Sequence, residues 1–243
     1  MINVRLAGMF LAAVGDDRLA IWHAAARSVT IADLFGTARS LGVIIPHADD
    51  ETLGCGGLIA AAIARGIAVT VTVLTDGAAS HPGARAWPPA RLARRRRREV
   101  RAALAVLGGA DVMFAAAPDG ELADHRVDPA LVPRADLFVT CWQGDPHADH
   151  RAAYAVAQAA ARRWSAPLLA FPLWTLTTDD PLPALPLLRI DVSAFLGRKR
   201  AALACHRSQL GIVVRDRRGF VLDAGLQRLF VRPDELFLCC PID

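Results

Sequence analysis

Leu41-Gly42-Val43-Ile44-Ile45-Pro46-His47-Ala48-Asp49-Asp50-Glu51-Thr52-Leu53-Gly54-Cys55-Gly56-Gly57 is the stretch on which the fold turns. The apolar run Leu41 to Ile45 has the length of a buried strand, the next six residues are a polar turn, and the Ala/Ile/Leu stretch from Leu53 to Arg65 reads as a helix. In an open α/β sheet a turn of this kind lines the crevice where ligands bind. The same alternation continues outward. Further strands are expected at Ala68 to Leu74, Asp111 to Phe114, Leu137 to Cys141, Leu168 to Phe171 and Leu187 to Ile190, and helices at Pro89 to Leu107, Asp149 to Trp164 and Ala194 to His206. This rhythm predicts an α/β fold: a mostly parallel, Rossmann-like sheet with helices on both faces. After Gln209 the pattern changes, and Ile212 to Arg215 with Phe220 to Leu222, split by Asp216-Arg217-Arg218-Gly219, predict a small C-terminal β-hairpin. No repeat or low-complexity linker divides the chain, so residues 1–243 are read as one domain.

Two turns are rich in metal-ligand atoms: Pro46-His47-Ala48-Asp49-Asp50-Glu51 and His147-Ala148-Asp149-His150. A catalytic zinc keeps three protein ligands, drawn from His, Asp and Glu, and one open position. His47 and Asp50, three apart at a helix start, can face one point, and either His147 or His150 can complete the set from a neighbouring strand-end loop. Asp49 is then placed to take a proton from the metal-bound water, and the spare histidine to stabilise or protonate the tetrahedral intermediate. Acidic residues opening a helix are also ordinary capping and dipole chemistry, worth roughly 0.3–1 kcal/mol per charge. What points to a metal is that both turns follow apolar, strand-like runs.

These residues resemble the PIG-L/LmbE family of zinc-dependent N-acetylglucosaminyl deacetylases. The resemblance rests on Pro46 to Glu51 with Thr52-Leu53-Gly54-Cys55-Gly56-Gly57 and on His147 to His150. Supporting marks are Leu74-Thr75-Asp76-Gly77, Arg96-x-x-Glu99 with Leu107-Gly108, Pro118-Asp119-Gly120, and Lys199-x-x-Ala202 to His206-x-Ser208-Gln209, so it spans residues 41–209. It implies an LmbE-like fold and one Zn2+ per chain, or another divalent metal in its place, on His47, Asp50 and His150. It also implies Asp49 as general base, His147 polarising the carbonyl or protonating the leaving amine, Asp149 orienting His147, and Asp119 and Arg96 binding substrate. The implied reaction is removal of an N-acetyl or other N-acyl group from an N-acetylglucosamine-type conjugate, metal-bound water attacking the amide. Ala48 and Ala148 stand where the family commonly has proline, and Ala78 where an acid often follows Asp-Gly, which puts one substrate contact in doubt.

Composition narrows the partners. The net charge of +4 comes with a single lysine, Lys199, and concentrates in Arg91 and Arg94 to Arg98. No aromatic residue interleaves with that run, and Leu92, Val100, Leu104 and Leu107 carry an apolar stripe through it, so it reads as a solvated helix face rather than a nucleic-acid site. No stretch approaches the ~18 apolar residues of a membrane span, Met1 to Val14 lacks a signal-peptide pattern, and five cysteines without Cys-x-x-Cys spacing suit a reducing compartment. A cytoplasmic enzyme acting on a small amino-sugar conjugate is expected, with no stable membrane insertion and with room for a homo-oligomer. The loops Ala78 to Pro89 and Trp174 to Pro186 are candidate pocket walls, His81 and His125 are expected in solvent, and His23 as structural. A dinucleotide site is disfavoured, because Ile59 replaces the last glycine of Gly-x-Gly-x-x-Gly and an acidic triplet precedes it. The remaining alternatives are a zinc amidase acting on a non-sugar amide such as a thiol conjugate, and a non-catalytic binding protein of the same fold.

Overall fold

The runs of valine, isoleucine and leucine hydrogen-bond into one eight-stranded sheet: β1 (Arg27–Val29), β2 (Ser40–Ile45), β3 (Ala68–Thr75), β4 (Asp111–Ala117), β5 (Leu137–Cys141), β6 (Leu168–Phe171), β7 (Leu187–Asp191) and β8 (Asp234–Cys240). The computed structural model describes residues 18–214 and 219–242. Strand order is β1-β7-β8-β6-β5-β2-β3-β4. All pairs are parallel except those of β8, which runs antiparallel to both β6 and β7. Helices α1 (18–25), α2 (Ile31–Phe35), α3 (Asp50–Ala64), α4 (Pro89–Leu107), α5 (Ala148–Trp164), α6 (Leu196–Leu203) and α7 (Ala224–Phe230) connect and cover the strands.

This connectivity puts a crevice at one place. From β2 the chain builds β3 and β4 outward on one side, then crosses to lay β5 and β6 on the other, so β2 and β5 are neighbours from which the two halves diverge. The C-terminal ends of β2 and β5 therefore open into the crevice of a topological switch point. Their close approach depends on Gly42, where an added Cβ would fall 2.6 Å from the Phe138 ring on β5.

Helix α3 follows β2 and is buried nearly all round, as expected for a helix without a polar face. It is kinked at Cys55 (φ −144°, ψ 23°), so its second half has an N-terminus of its own. The Glu235 carboxylate from β8 accepts the Gly57 and Leu58 N–H groups at 2.7 and 2.9 Å, and Lys199 Nζ from α6 pairs with it at 2.7 Å. A carboxylate at a helix N-terminus satisfies unpaired N–H groups and the local dipole, and the chain's single lysine neutralises it where both are buried. One ion pair thus ties α3, α6 and β8 together.

The sheet confirms the α/β, mostly parallel architecture. Residues 212–214 and 219–222, where the sequence suggested a hairpin, are turn and loop, and 215–218 lie outside the described residues. The C-terminal antiparallel pairing is made instead by β8 inserting between β6 and β7. The helix expected over Ala194 to His206 is a 3-10 turn, Ser193–Phe195, leading into the shorter α6, which frees His206 to sit in a turn. The Met1 to Val14 segment lies outside the described residues. Among the described residues no helix is long and apolar enough to cross a membrane.

Adjacent glycines on α3 make a paired test of this packing. An added Cβ at Gly57 would lie 2.6 Å from Val192 Cβ and 3.0 Å from Glu235 Oε1, whereas at Gly56 the nearest atom is Lys199 Cγ at 3.4 Å. Alanine gains about 1 kcal/mol of helix propensity over glycine, and overpacking costs about 1–3 kcal/mol. Gly56→Ala is therefore expected to leave Tm unchanged or raised and Gly57→Ala to lower it, by thermal melting. Equal Tm for both variants would contradict the packing described.

Candidate metal centre

Both ligand-rich turns lie at the switch point. The end of β2 is pinned to β3 through Pro46 O, which accepts the Thr75 N–H at 2.9 Å and the Thr75 hydroxyl at 2.8 Å, and His47 leaves the strand from there. The turn after β5 is pinned by Asp145, 1% exposed, whose Oδ1 accepts the His147 N–H at 3.0 Å and lies 3.3 Å from His150 Nδ1. Asp145 Oδ2 accepts the Trp174 N–H at 2.9 Å, so the same carboxylate also fixes the loop beyond β6. Sequence reasoning missed Asp145; its only signal is a Gly-Asp-Pro turn just before the histidines.

Three imidazoles and three carboxylates converge. The His47 ring centroid lies 4.8 Å from that of His147 and 5.6 Å from that of His150. Nδ1 of His47 is 3.3 Å from Asp50 Oδ2, and its Nε2 is 3.0 Å from Asp149 Oδ2 and 3.1 Å from Asp119 Oδ1. Burial alone would lower the His47 pKa, but Asp119, Asp149 and Asp50 outweigh it and hold it well above the ordinary range. Burial opposes ionisation of Asp50 as well, yet His150 and His47 hold its pKa below the usual carboxylate range. Asp119, against the same burial cost, is brought down to about 2 by His47 and Arg96. The pocket is acidic ground that calls for a cation.

The donor set fits a divalent metal. Nitrogen and oxygen atoms of His47, Asp50 and His150 lie within 4.8 Å of one another, as do those of His47, His147 and Asp149. His150 is fully buried, and neither ring nitrogen has a hydrogen-bond partner among the described residues; its Nε2 lies 3.6 Å from Asp50 Oδ1. A buried imidazole with an unused nitrogen beside a carboxylate is what a metal ligand looks like without its ion, since burying an unpaired polar atom otherwise costs ~1–3 kcal/mol. Asp145 at Nδ1 orients this ring.

Asp49 differs from its neighbours. It stands as N-cap of α3 at φ 153°, ψ −26°, a conformation that L residues rarely adopt and that costs about 1–3 kcal/mol. Its carboxylate makes no capping bond. Instead Oδ1 accepts from Arg96 NH2 at 2.9 Å, while Arg96 also donates to Ala48 O and Gly77 O at 3.0 and 3.2 Å. Burial pushes the Asp49 carboxyl up to about 6 although Arg96 opposes it. The guanidinium that the sequence assigned to substrate is spent largely on Asp49 and its loop.

Asp149 also departs from expectation. Its carboxylate serves His47 and the Gly120 and Leu122 N–H groups, at 2.8 and 3.2 Å, and it meets His147 only through its backbone N–H, which donates to Nδ1 at 3.2 Å. Asp119 accepts the Ala79 N–H at 2.8 Å and His47, and still faces the pocket. That cavity, about 250 Å³, is bounded by Asp49, Asp119 and His147 on its polar side and by Leu53, Trp174 and Phe220 on its apolar side. Both proline-rich loops contribute walls, through Ala79 and Ser80 and through Trp174. His81 is buried at 3% exposure, a correction to its expected place in solvent; His125 is exposed, and His23 pairs with Asp234 at 3.2 Å. Cys55 and Cys141 are fully buried in the core.

Residues 42–161, from β2 through α5, match the family described as PIG-L: GlcNAc-PI de-N-acetylase. The chain carries a PIG-L domain. No curated protein sequence matches significantly. Among solved structures, the conserved protein TT1542 from Thermus thermophilus is 27% identical, with 85% of this chain and 96% of that chain covered at TM-score 0.57. A deacetylase–teicoplanin complex from the biosynthesis pathway of teicoplanin is 20% identical, covering 82% and 97% at TM-score 0.61. GalB, the 4-carboxy-2-hydroxymuconate hydratase of Pseudomonas putida KT2440, is 21% identical, covering 84% and 97% at TM-score 0.55. The last two share the fold with this PIG-L domain. Because that fold carries a hydratase as well as a deacetylase, the reaction has to be argued from the site.

A ligand that binds only the folded state stabilises it by about 2.7 kcal/mol at 100 times its Kd, which for a chain of this size raises Tm by roughly 5–11 °C. Zn2+ titrated into metal-stripped protein is expected to give such a shift, and His47→Ala, Asp50→Ala and His150→Ala each to abolish most of it. Undiminished shifts in all three would remove these residues as ligands.

Proposed function

We propose that this protein is a metal-dependent N-deacetylase that hydrolyses the N-acyl group of an amino-sugar conjugate, with Asp49 as proton acceptor. The observation that carries this reading is the pairing, in one pocket, of a His/Asp/His ligand set with a separate buried carboxylate held out of capping geometry. The PIG-L family match and the deacetylase among its structural neighbours support the reaction class.

A divalent ion on His47, Asp50 and His150 would supply Lewis-acid polarisation of the acyl carbonyl and acidify water at neutral pH. Everything else falls to the chain. Arg96 occupies Asp49 Oδ1 and leaves Oδ2 for the attacking water, whose proton moves there as its oxygen bonds to the carbonyl carbon. His147 Nδ1 accepts the Asp149 N–H, so the proton of its neutral ring sits on Nε2. Burial, with His47 and His150 nearby, lowers the His147 pKa and keeps that ring neutral. A neutral Nε2–H donor suits the oxyanion that develops on the former carbonyl oxygen. The C–N bond then breaks, the amine nitrogen takes the proton held by Asp49, and carboxylic acid and free amine leave.

The walls suit a conjugate with a polar and an apolar face. Asp119 and the Ala79 and Ser80 segment offer acceptors and donors for hydroxyl groups. Trp174 offers an aromatic surface for the C–H face of a sugar ring, braced by edge-on contacts with Phe220 and Phe230 at 5.6 and 5.7 Å between centroids.

Amine release measured across N-acetylglucosamine glycosides, glycolipids and thiol-linked amides tests the reaction directly. Metal-loaded protein is expected to liberate amine from at least one sugar conjugate, and Asp49→Asn to keep its metal while losing roughly 10²–10⁴-fold in kcat, the range for a removed general base. Near-normal turnover by Asp49→Asn would transfer the proton to another group. Release from non-sugar amides alone would replace the sugar assignment with that of an amidase. Asp119→Ala is expected to keep its metal and to lose about tenfold or more in kcat/KM, the loss of one charge-assisted hydrogen bond of ~1.5–3 kcal/mol; unchanged kinetics would leave Asp119 a purely structural residue.

A further inference from the structure

We propose that Glu51 and His206 form a positioning relay that holds the backbone of Asp49 in its left-handed conformation and thereby aims its carboxylate; this rests on Asp49 being the proton acceptor. An aspartate at a helix N-cap ordinarily folds its carboxylate back onto the N–H groups of the first turn. Here that use is forgone, and a different side chain does the capping. Glu51 Oε2 reaches back to accept the Asp49 N–H at 3.0 Å, the reverse half of a capping box made one residue earlier than usual. Asp49 O in turn receives the Thr52 and Leu53 N–H groups at 3.0 and 2.9 Å. Both backbone polar groups of Asp49 are therefore spoken for, and its side chain is left for Arg96 and the pocket.

Glu51 can do this only if its own charge is supported, because it is 0% exposed. Its second oxygen, Oε1, receives the Thr52 hydroxyl at 2.6 Å and His206 Nε2 at 3.0 Å. His206, also 0% exposed, comes from the turn after α6, where its N–H donates to Leu203 O at 3.0 Å. That turn is locked to α4 by Ser208, whose N–H and hydroxyl donate to Glu99 at 2.9 and 2.5 Å. The relay runs from α4 and the α6 turn through His206 and Glu51 to the Asp49 peptide, and none of these side chains lies among the ligand groups of the metal site. Without the His206 N–H, a buried carboxylate keeps one donor on Oε1, Glu51 no longer holds the Asp49 N–H, and Asp49 relaxes out of its strained conformation. Displacing a catalytic group by about 1 Å can cost about 10²-fold in rate.

The test compares His206→Gln, whose amide nitrogen reaches the position of Nε2, with His206→Asn, whose amide stops near Nδ1. Each is loaded with Zn2+, assayed for amine release, and examined by hydrogen exchange at the Asp49 amide against the amides of β2 as an internal standard. His206→Asn is expected to retain metal and KM within about twofold, to lose roughly 10–100-fold in kcat, and to lose protection at Asp49 while β2 stays protected. His206→Gln is expected to recover most of both. Equal kcat in the two variants and wild type, or unchanged Asp49 protection in His206→Asn, would overturn the relay. If the wild type releases no amine from any conjugate, the deacetylase reading fails while the exchange measurement still decides whether His206 holds the Asp49 backbone.

Discussion

Three consecutive acidic side chains, Asp49, Asp50 and Glu51, are buried at 4, 3 and 0% exposure at the mouth of one crevice, and most of the site follows from having to compensate them. An isolated buried carboxylate costs several kcal/mol, so each needs its own partner. Arg96 of α4 comes to Asp49, His47 and His150 flank Asp50, and His206 beyond α6 comes to Glu51. A single acidic triplet therefore fixes where α4, α5 and the α6 turn stand around the C-terminal ends of β2 and β5.

The three solutions differ, and the difference separates structure from chemistry. Glu51 is satisfied from both sides and entirely enclosed, which suits a group that only holds others. Asp50 is held ionised between two imidazoles, one of which, His150, has no hydrogen-bond partner among the described residues. Asp49 is only partly compensated: Arg96 engages one oxygen, burial raises its carboxyl to about 6, and its backbone is strained. Strain and incomplete compensation accord with the proton-acceptor role proposed for Asp49, and over-determined surroundings keep them in place.

Glu235, a further buried acid, obeys the same constraint away from the pocket. It caps the second half of α3 and is neutralised by Lys199, in a chain that otherwise uses arginine throughout. Gly56 packs against the stem of this lysine, where an added Cβ would lie 3.4 Å from Lys199 Cγ. The Arg94 to Arg98 run shows the opposite case. Arg96 alone turns inward to Asp49, while Arg94 and Arg98 stay in solvent on the same helix.

Local pattern was enough to determine the strands β2, β3, β5 and β6, the helices α4 and α5, and the two ligand-rich turns, because apolar periodicity and turn chemistry act over a few residues. It also placed His47, Asp49, Asp50, His147, Asp149 and His150 at one crevice, since parallel strands in such a sheet end on the same side. Partners were another matter. That β8 inserts antiparallel between β6 and β7, that Asp149 serves His47 rather than the His147 side chain, that Arg96 holds Asp49, that Asp145 fixes the Trp174 loop and that His206 supports Glu51 all depend on contacts between residues far apart in the chain. Short-range periodicity carries no record of such pairings, because a buried polar group is satisfied by whatever donor or acceptor the packed elements bring within about 3 Å.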